Sequence, residues 1–461
     1  MDIIKGIRSR RGAKLNIKGV AEKTLSKTSS SPTYALNPDD FFGTTPKLLV
    51  KEGASLKAGD PIFFSKQDPR IKIVSPISGT IKAIERGPKR KIEKILIESN
   101  QSSEVRTHDV KNWDKLNRDA LVALLLESGN WPFIKQRPYG TLANPDETPK
   151  AIFVSAIDTA PLAADQEYLL SFTSSNPSMA NHHENFQRGI NVLNKLVDQA
   201  VFLGVDASHT APFDHVENVQ MYTVSGPHPA GNLSFHIQQL SPINMGEYVW
   251  TINPEDVVNL GRFFNDGVFS PQRTVAFAGN ALKNPKYFTA KIGVELAPMI
   301  KEVKIMEDSP RYINGDVLSG SSTTASGHLG YYNNLVSVIP EGNTYRMFGW
   351  LPFVDNSIMS LSNTSFSRLF NKKGFDIDTN LNGEERALVV TGEMEKVFPL
   401  DLYPMQLLKA CMIEDIEKME ALGIYEVVPE DFGLIDYANT SKIEAQEIIR
   451  KGIELMINEV G

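Results

Sequence analysis

The sequence predicts a multidomain protein of mixed α/β and α+β class, and three observations predict it. At 461 residues the chain exceeds what one hydrophobic core usually serves, so several domains are expected. Residues 47–98 read as short strands punctuated by turns, whereas residues 113–240 alternate helical periods with apolar runs. The tail from Leu400 is helical, with Leu408, Cys411, Met412, Ile416 and Met419 at helix spacing and a second amphipathic stretch from Lys442 to Val460.

The first element is a compact β module. Its turns fall at Glu52-Gly53, Ala58-Gly59-Asp60-Pro61 and Ser75-Pro76-Ile77-Ser78-Gly79, between strands such as Ile62-Phe63-Phe64 and Ile71-Lys72-Ile73-Val74. This spacing resembles the barrel-sandwich hybrid of biotinyl and lipoyl carriers, over about fifty residues. A carrier holds an acylated lysine at the hairpin tip. The matching tip here is Asp68-Pro69-Arg70, so the fold is expected without the carrier function.

The second element is an α/β domain with a largely parallel sheet. Leu121–Leu126 and a helix near Asn185 to Leu203 supply the helical periods, and Ala151–Ser155 and Val219–Val224 the strands. Tyr248 to Val317 then reads as a small α+β unit, with strand-like Arg273–Ala278 and Ala290–Val294.

Composition closes off several function classes. A net charge of -7 and a pI near 5.7 argue against nucleic acid, which selects for a clustered basic excess. The apolar runs Ala120–Leu126 and Ala151–Ala164 fall short of a membrane span, and Asp158 interrupts the second. The basic stretch at residues 1–18 is followed by no apolar segment or cleavage site of a signal peptide. A lone Cys411 excludes an internal disulfide framework and suits a reducing cytoplasm; its place in an apolar stripe predicts core packing.

No Gly-x-Gly-x-x-Gly joins a strand to a helix, and no nucleophile elbow or paired carboxylates stand out, so no catalytic centre and no metal site are expected. The most unusual string is Ser225-Gly226-Pro227-His228-Pro229-Ala230-Gly231-Asn232, after a strand. Two prolines fix its backbone and two glycines permit positive φ, giving a shaped turn where ligand sites of open α/β sheets gather. Its plainer reading is a structural turn; the sharper one is a ligand or subunit contact through Gly226, Pro227, His228, Pro229, Gly231 and Asn232. Trp131, Pro132 and Phe133, like the aromatic string from Met347 to Phe353, offer flat apolar surface to a quinone or a partner, with core burial as the plainer reading. His182 and His183, near a helix start, read as surface residues that diverge by about 100° and so share no metal.

Taken in order, Ile4-Lys5-Gly6, the carrier-like module, the 225–232 string, Asn382-Gly383-Glu384-Glu385-Arg386-Ala387-Leu388-Val389 and Pro399-Leu400-Asp401-Leu402-Tyr403-Pro404 resemble the A-subunit family of the Na+-translocating NADH:quinone reductase, nearly end to end. That family is similar in architecture to the C subunit of the Rnf complex and to the flavin-binding subunit of respiratory complex I. The resemblance implies five parts: a barrel-sandwich-like domain (1–110), a Rossmann-like α/β domain (111–246), a β-grasp-like domain (247–335), a connecting β-rich segment (336–398) and a helical domain resembling a cluster-free ferredoxin (399–461). It further implies a peripheral subunit on the cytoplasmic face of the bacterial inner membrane, docked on membrane-embedded partners in a complex that oxidises NADH, reduces ubiquinone or menaquinone and exports Na+. Cofactors are expected on partners only (FAD, FMN, riboflavin and an iron–sulfur centre). Where the relatives place a Gly-rich flavin-phosphate loop, this chain has Gly129-Asn130-Trp131-Pro132-Phe133, and one cysteine cannot supply the four thiolates of a cubane cluster. The alternatives are a non-catalytic soluble ligand-binding scaffold and an Rnf-type electron-transfer subunit.

Overall fold

The computed structural model describes residues 3–27, 31–170, 181–342, 347–348, 351, 358–361, 366–367 and 374–460. The Met347–Phe353 string therefore lies largely outside the described residues. The described residues form four sheets and a helical tail. The largest sheet has seven strands in the order 5–8, 220–225, 200–206, 151–155, 249–251, 135–137 and 141–142. The first five run parallel, and the 135–137 strand joins antiparallel and carries the 141–142 strand antiparallel in turn. Near-continuous burial of Ala151, Ile152, Phe153 and Val154 is what a central parallel strand requires, because helices cover both faces.

Two of those covering helices, His182–Asn194 and Pro254–Asp266, cross at very short range. A Cβ on Gly189 would lie 2.2 Å from the carbonyl oxygen of Val257, and one on Gly261 would lie 1.7 Å from that of Asn185, so only glycine permits the crossing. The expected helix to Leu203 stops at Asn194, and Ala200–Asp206 is a strand instead. The apolar run Val201–Leu203 suits either period, and pairing with 151–155 on one side and 220–225 on the other decides it.

The β module consists of a four-stranded sheet (33–36, 92–99, 79–86, 55–56) and a three-stranded one (46–48, 61–65, 72–74), its core continuous with that of the α/β domain. Its hairpin tip is tied down: Arg70 pairs with Asp68 at 2.7 Å and, across the domain boundary, with Asp146 at 2.7 Å. The remaining sheet has six strands in the order 321–323, 310–314, 335–340, 272–278, 286–291 and 22–27. The first 27 residues thus serve two sheets outside the module they precede, Lys5–Arg8 alongside 222–225 and Glu22–Lys27 alongside 286–289.

The tail carries five short helices, Glu393–Val397, Pro404–Met412, Ile416–Ala421, Gly433–Ala438 and Ala445–Glu459, around a separate core that includes Leu408, Met419, Ile449 and Ile453. Cys411 lies in that core, as its stripe position implied, and burial pushes its thiol up to about 12. Among the described residues no helix is long and apolar enough to cross a membrane, and no group of three or more His, Cys, Asp or Glu is placed to hold a metal ion.

Candidate functional site at the switch point of the parallel sheet

In the seven-stranded sheet the chain moves outward from 151–155 to 200–206 and 220–225, then crosses back to lay 249–251 on the other side of 151–155. Loops leaving the carboxyl ends of 151–155 and 249–251 therefore diverge, opening a crevice where folds of this kind bind ligands. A pocket of about 220 Å³ lies there. Ser155, Ile157 and Asp158 enter from the first strand, Asn253, Pro254, Glu255 and Asp256 from the second, and His228, Gly231 and Asn232 from the predicted turn. Arg273, Asp316 and Tyr332 of the next domain and Glu430 of the tail close it.

The floor is charged and dry. Arg273 and Asp256, with side chains 2% and 0% exposed, form an ion pair at 2.6 Å, and Arg273 Nη2 also donates to the Tyr331 carbonyl at 2.9 Å. Burial opposes the Arg273 charge, but Asp256 and Glu255 outweigh it and hold its proton more firmly than usual. Beside them Glu255 accepts the backbone N–H of Thr274 and is pushed up to about 7 by burial, with Arg273 working against that rise. Both acids occupy the first turn of the Pro254–Asp266 helix, which Asn253 and Pro254 open. The helix end that would attract a phosphate thus carries the chain's own carboxylates.

The rim is acidic and wet. Asp158 and Glu430 reach solvent; crowding by the walls pushes Asp158 up to about 6, the carboxylates of Asp316 and Glu430 adding to the rise. Glu430 meets the buried Arg137 at 3.2 Å, and Asn232 donates to Asp431 at 3.1 Å, so the tail is latched to the turn. Burial raises Asp431 to about 6.

The 225–232 turn is built as a rigid wall. Gly226 takes a φ of 131°, as expected, whereas Gly231 has no positive φ; its need for glycine is space, since a Cβ there would sit 2.8 Å from the Thr159 nitrogen. Gly231 N donates to Thr159 Oγ1 at 2.8 Å, and the same hydroxyl meets His228 Nδ1 at 3.3 Å. His228 is 6% exposed, burial lowers its pKa, and its Nε2 has no partner among the described residues. From beneath, His236 Nε2 donates to the Ala230 carbonyl at 2.7 Å and leaves Nδ1 to accept the Tyr222 hydroxyl at 2.9 Å. Burial holds His236 near 4, so it stays neutral in this role. Gly226 and Pro227 remain at the surface, and Pro229 is buried.

The Trp131–Phe133 turn is not a surface. Trp131 and Phe133 are 0% and 1% exposed, Trp131 lies edge-on to Trp250, and Phe133 stacks on Phe269. It nevertheless joins the site from behind: Tyr332 donates to the Pro132 carbonyl at 2.6 Å, and the Arg273 guanidinium lies over the Phe133 ring at 5.6 Å. The two strings chosen from sequence meet at one pocket, as wall and as foundation. His182 is buried rather than exposed, held between the Leu170 carbonyl at 2.8 Å and Arg262, and burial lowers it to about 4. The reading of the sequence missed the carboxylates and Arg273. One signal was available in Asn253-Pro254-Glu255-Asp256, a helix start with two acids directly after a strand.

An open, mostly parallel sheet with a carboxylate-lined crevice at its switch point, joined to a barrel-sandwich module, defines a multidomain protein of mixed α/β class. Residues 7–100, 116–269 and 274–325 match, in turn, the domains described as NqrA N-terminal barrel-sandwich hybrid domain, NqrA second alpha/beta domain and NQRA C-terminal domain. The chain is 32% identical to the A subunit of the Na(+)-translocating NADH-quinone reductase of Neisseria meningitidis serogroup B, over 98% of this chain and 100% of that one. It is 34% identical to the protein of the same name from Marinomonas sp., over 97% and 99%, and 32% identical to that from Yersinia pseudotuberculosis, over 96% and 98%. The chain belongs to the A-subunit family of the Na(+)-translocating NADH-quinone reductases. An NAD+-reducing [NiFe]-hydrogenase structure overlaps 87% of this chain at 10% identity and a TM-score of 0.35, too low to inform the site.

Proposed function

We propose that this chain is a peripheral, cofactor-free subunit of a Na+-translocating NADH-quinone reductase, bound at the cytoplasmic face of the bacterial inner membrane to membrane-embedded subunits that carry FAD, FMN, riboflavin and the iron–sulfur centre. Full-length similarity to proteins of that complex supports membership in it. The observation that carries the cofactor-free reading is the switch-point helix end: Glu255 and Asp256 fill the turn that would attract a flavin or nucleotide phosphate, and Asp256 keeps the pocket's Arg273 for itself, so that guanidinium is not free to meet one. The domain limits 1–110, 111–246, 247–335, 336–398 and 399–461, with a β-grasp-like third part and a ferredoxin-like tail, belong to the same proposal.

Contact with a partner subunit is assigned to the outer part of the turn, the exposed Gly226 and the half-buried Pro227. Any help to a quinone site comes through this turn, with Trp131 and Phe133 holding the pocket behind it. Recovery of the chain with membrane subunits from detergent extracts, together with NADH-dependent, Na+-stimulated quinone reduction, tests the reading. A purified chain with stoichiometric flavin absorbance would overturn the cofactor-free part.

A further inference from the structure

We infer that the switch-point pocket binds an organic ammonium group, seated between the Asp158 and Glu430 carboxylates at the rim and the unpartnered Nε2 of His228 in the wall. Five carboxylates (Asp158, Glu255, Asp256, Asp316 and Glu430) line the pocket against one guanidinium, that of Arg273, and Arg273 is committed to Asp256. Glu255 is committed to the Thr274 amide, Asp316 to Leu318 and Ser319 of its own loop, and one oxygen of Glu430 to Arg137, which leaves the other Glu430 oxygen at the exposed rim. Asp158 is different. One oxygen takes the Ala160 amide, and no cation pairs with the carboxylate among the described residues. Its carboxylate lies at the exposed mouth of the pocket, where an entering cation meets it without displacing a partner.

His228 points to a ligand independently of the acids. Its ring is buried in the wall of the pocket and Thr159 takes Nδ1. The Thr159 hydroxyl can accept from Nδ1–H as readily as donate to a bare Nδ1, so the neutral ring can turn a lone pair on Nε2 toward a donor. An ammonium has three N–H donors and no acceptor, which suits two carboxylates and an imidazole lone pair. A phosphate or carboxylate ligand would meet repulsion from the same groups. Room for roughly seven waters, at about 30 Å³ each, admits a short alkylamine or the end of a lysine side chain.

The ammonium has two sources, a free small amine or a basic side chain of a partner subunit, and the inference stands apart from whether the chain lacks flavin. The test uses the full chain and 1,4-diaminobutane as probe, with 1,4-butanediol, sodium chloride at matched ionic strength and FMN as comparators. The diamine is expected to raise the thermal midpoint by roughly 2–4 °C at saturation, the comparators not. Asp158→Asn and Glu430→Gln are each expected to weaken the diamine about tenfold, read by calorimetric titration. Binding that survives in the assembled complex identifies a free amine; binding present in the isolated chain and blocked in the complex identifies a partner's side chain. Equal shifts with the diol or with FMN, or undiminished diamine binding in the Asp158→Asn, Glu430→Gln double variant, would overturn the inference. Absence of any diamine response in the isolated wild-type chain, with complex assembly intact, overturns it without touching the proposed function.

Discussion

The hairpin tip of the β module and the switch-point pocket occupy positions where their fold types usually hold a working group, and this chain treats the two in opposite ways. At the tip, Arg70 is spent on Asp68 and Asp146, which closes the turn against the neighbouring domain. At the pocket the floor is closed by Arg273 and Asp256, but the rim keeps Asp158 without a cation. A neutralised position is architecture, whereas one left with unmatched charge bears a cost that a ligand can relieve.

Breaking the floor gives the largest effect. Arg273→Met strands Asp256 in a dry site, so a loss of about 3–5 kcal/mol is expected in denaturant unfolding. A loss below about 1 kcal/mol would mean that the pair is not structural. Next comes the wall: His236→Ala leaves the Ala230 carbonyl and the Tyr222 hydroxyl unpaired, for about 2–3 kcal/mol and faster amide exchange at residues 226–232.

At the rim the sign reverses. With Asp158 raised from 3.8 to about 6 in the fold, its contribution to stability is fully present below about pH 4 and is lost as pH rises through 6. Asp158→Asn therefore stabilises the chain above pH 6, by less than about 1 kcal/mol because solvent reaches the carboxylate, and changes nothing at pH 4. Melting curves at pH 4 and pH 8 decide it, and equal shifts at both would contradict the assigned cause. The smallest effect belongs to the tip: Arg70→Ala is expected to cost about 0.5 kcal/mol, as an exposed ion pair does. A much larger loss would show that the tip anchors the two domains.

Local features were legible in the sequence, and long-range ones were not. The turns at Glu52-Gly53 and Gly59-Asp60, the Ala151–Ser155 strand and the buried Cys411 follow from spacing and periodicity within a few residues. The 225–232 turn could be singled out for its prolines and glycines, but its partners Thr159 and Asp431 lie far along the chain. His182 looked like a surface residue because the group that buries it, Arg262, is eighty residues away. The pocket draws on the segments 155–166, 228–233, 253–256, 273, 316–334 and 430, so no local window contains it.

The Lys5–Arg8 and Glu22–Lys27 strands have a consequence for how the molecule is made. Each lies beside a strand that the ribosome delivers about two hundred or more residues later, at 222–225 and 286–289. During synthesis the β module can close on itself, while the two strands that precede it must wait with their edges unpaired until residues 225 and 289, respectively, have emerged. Residues 5–8 and 22–27 are seated only when strands far along the chain reach them, and they fasten the α/β domain to its neighbour like a stitch drawn tight late.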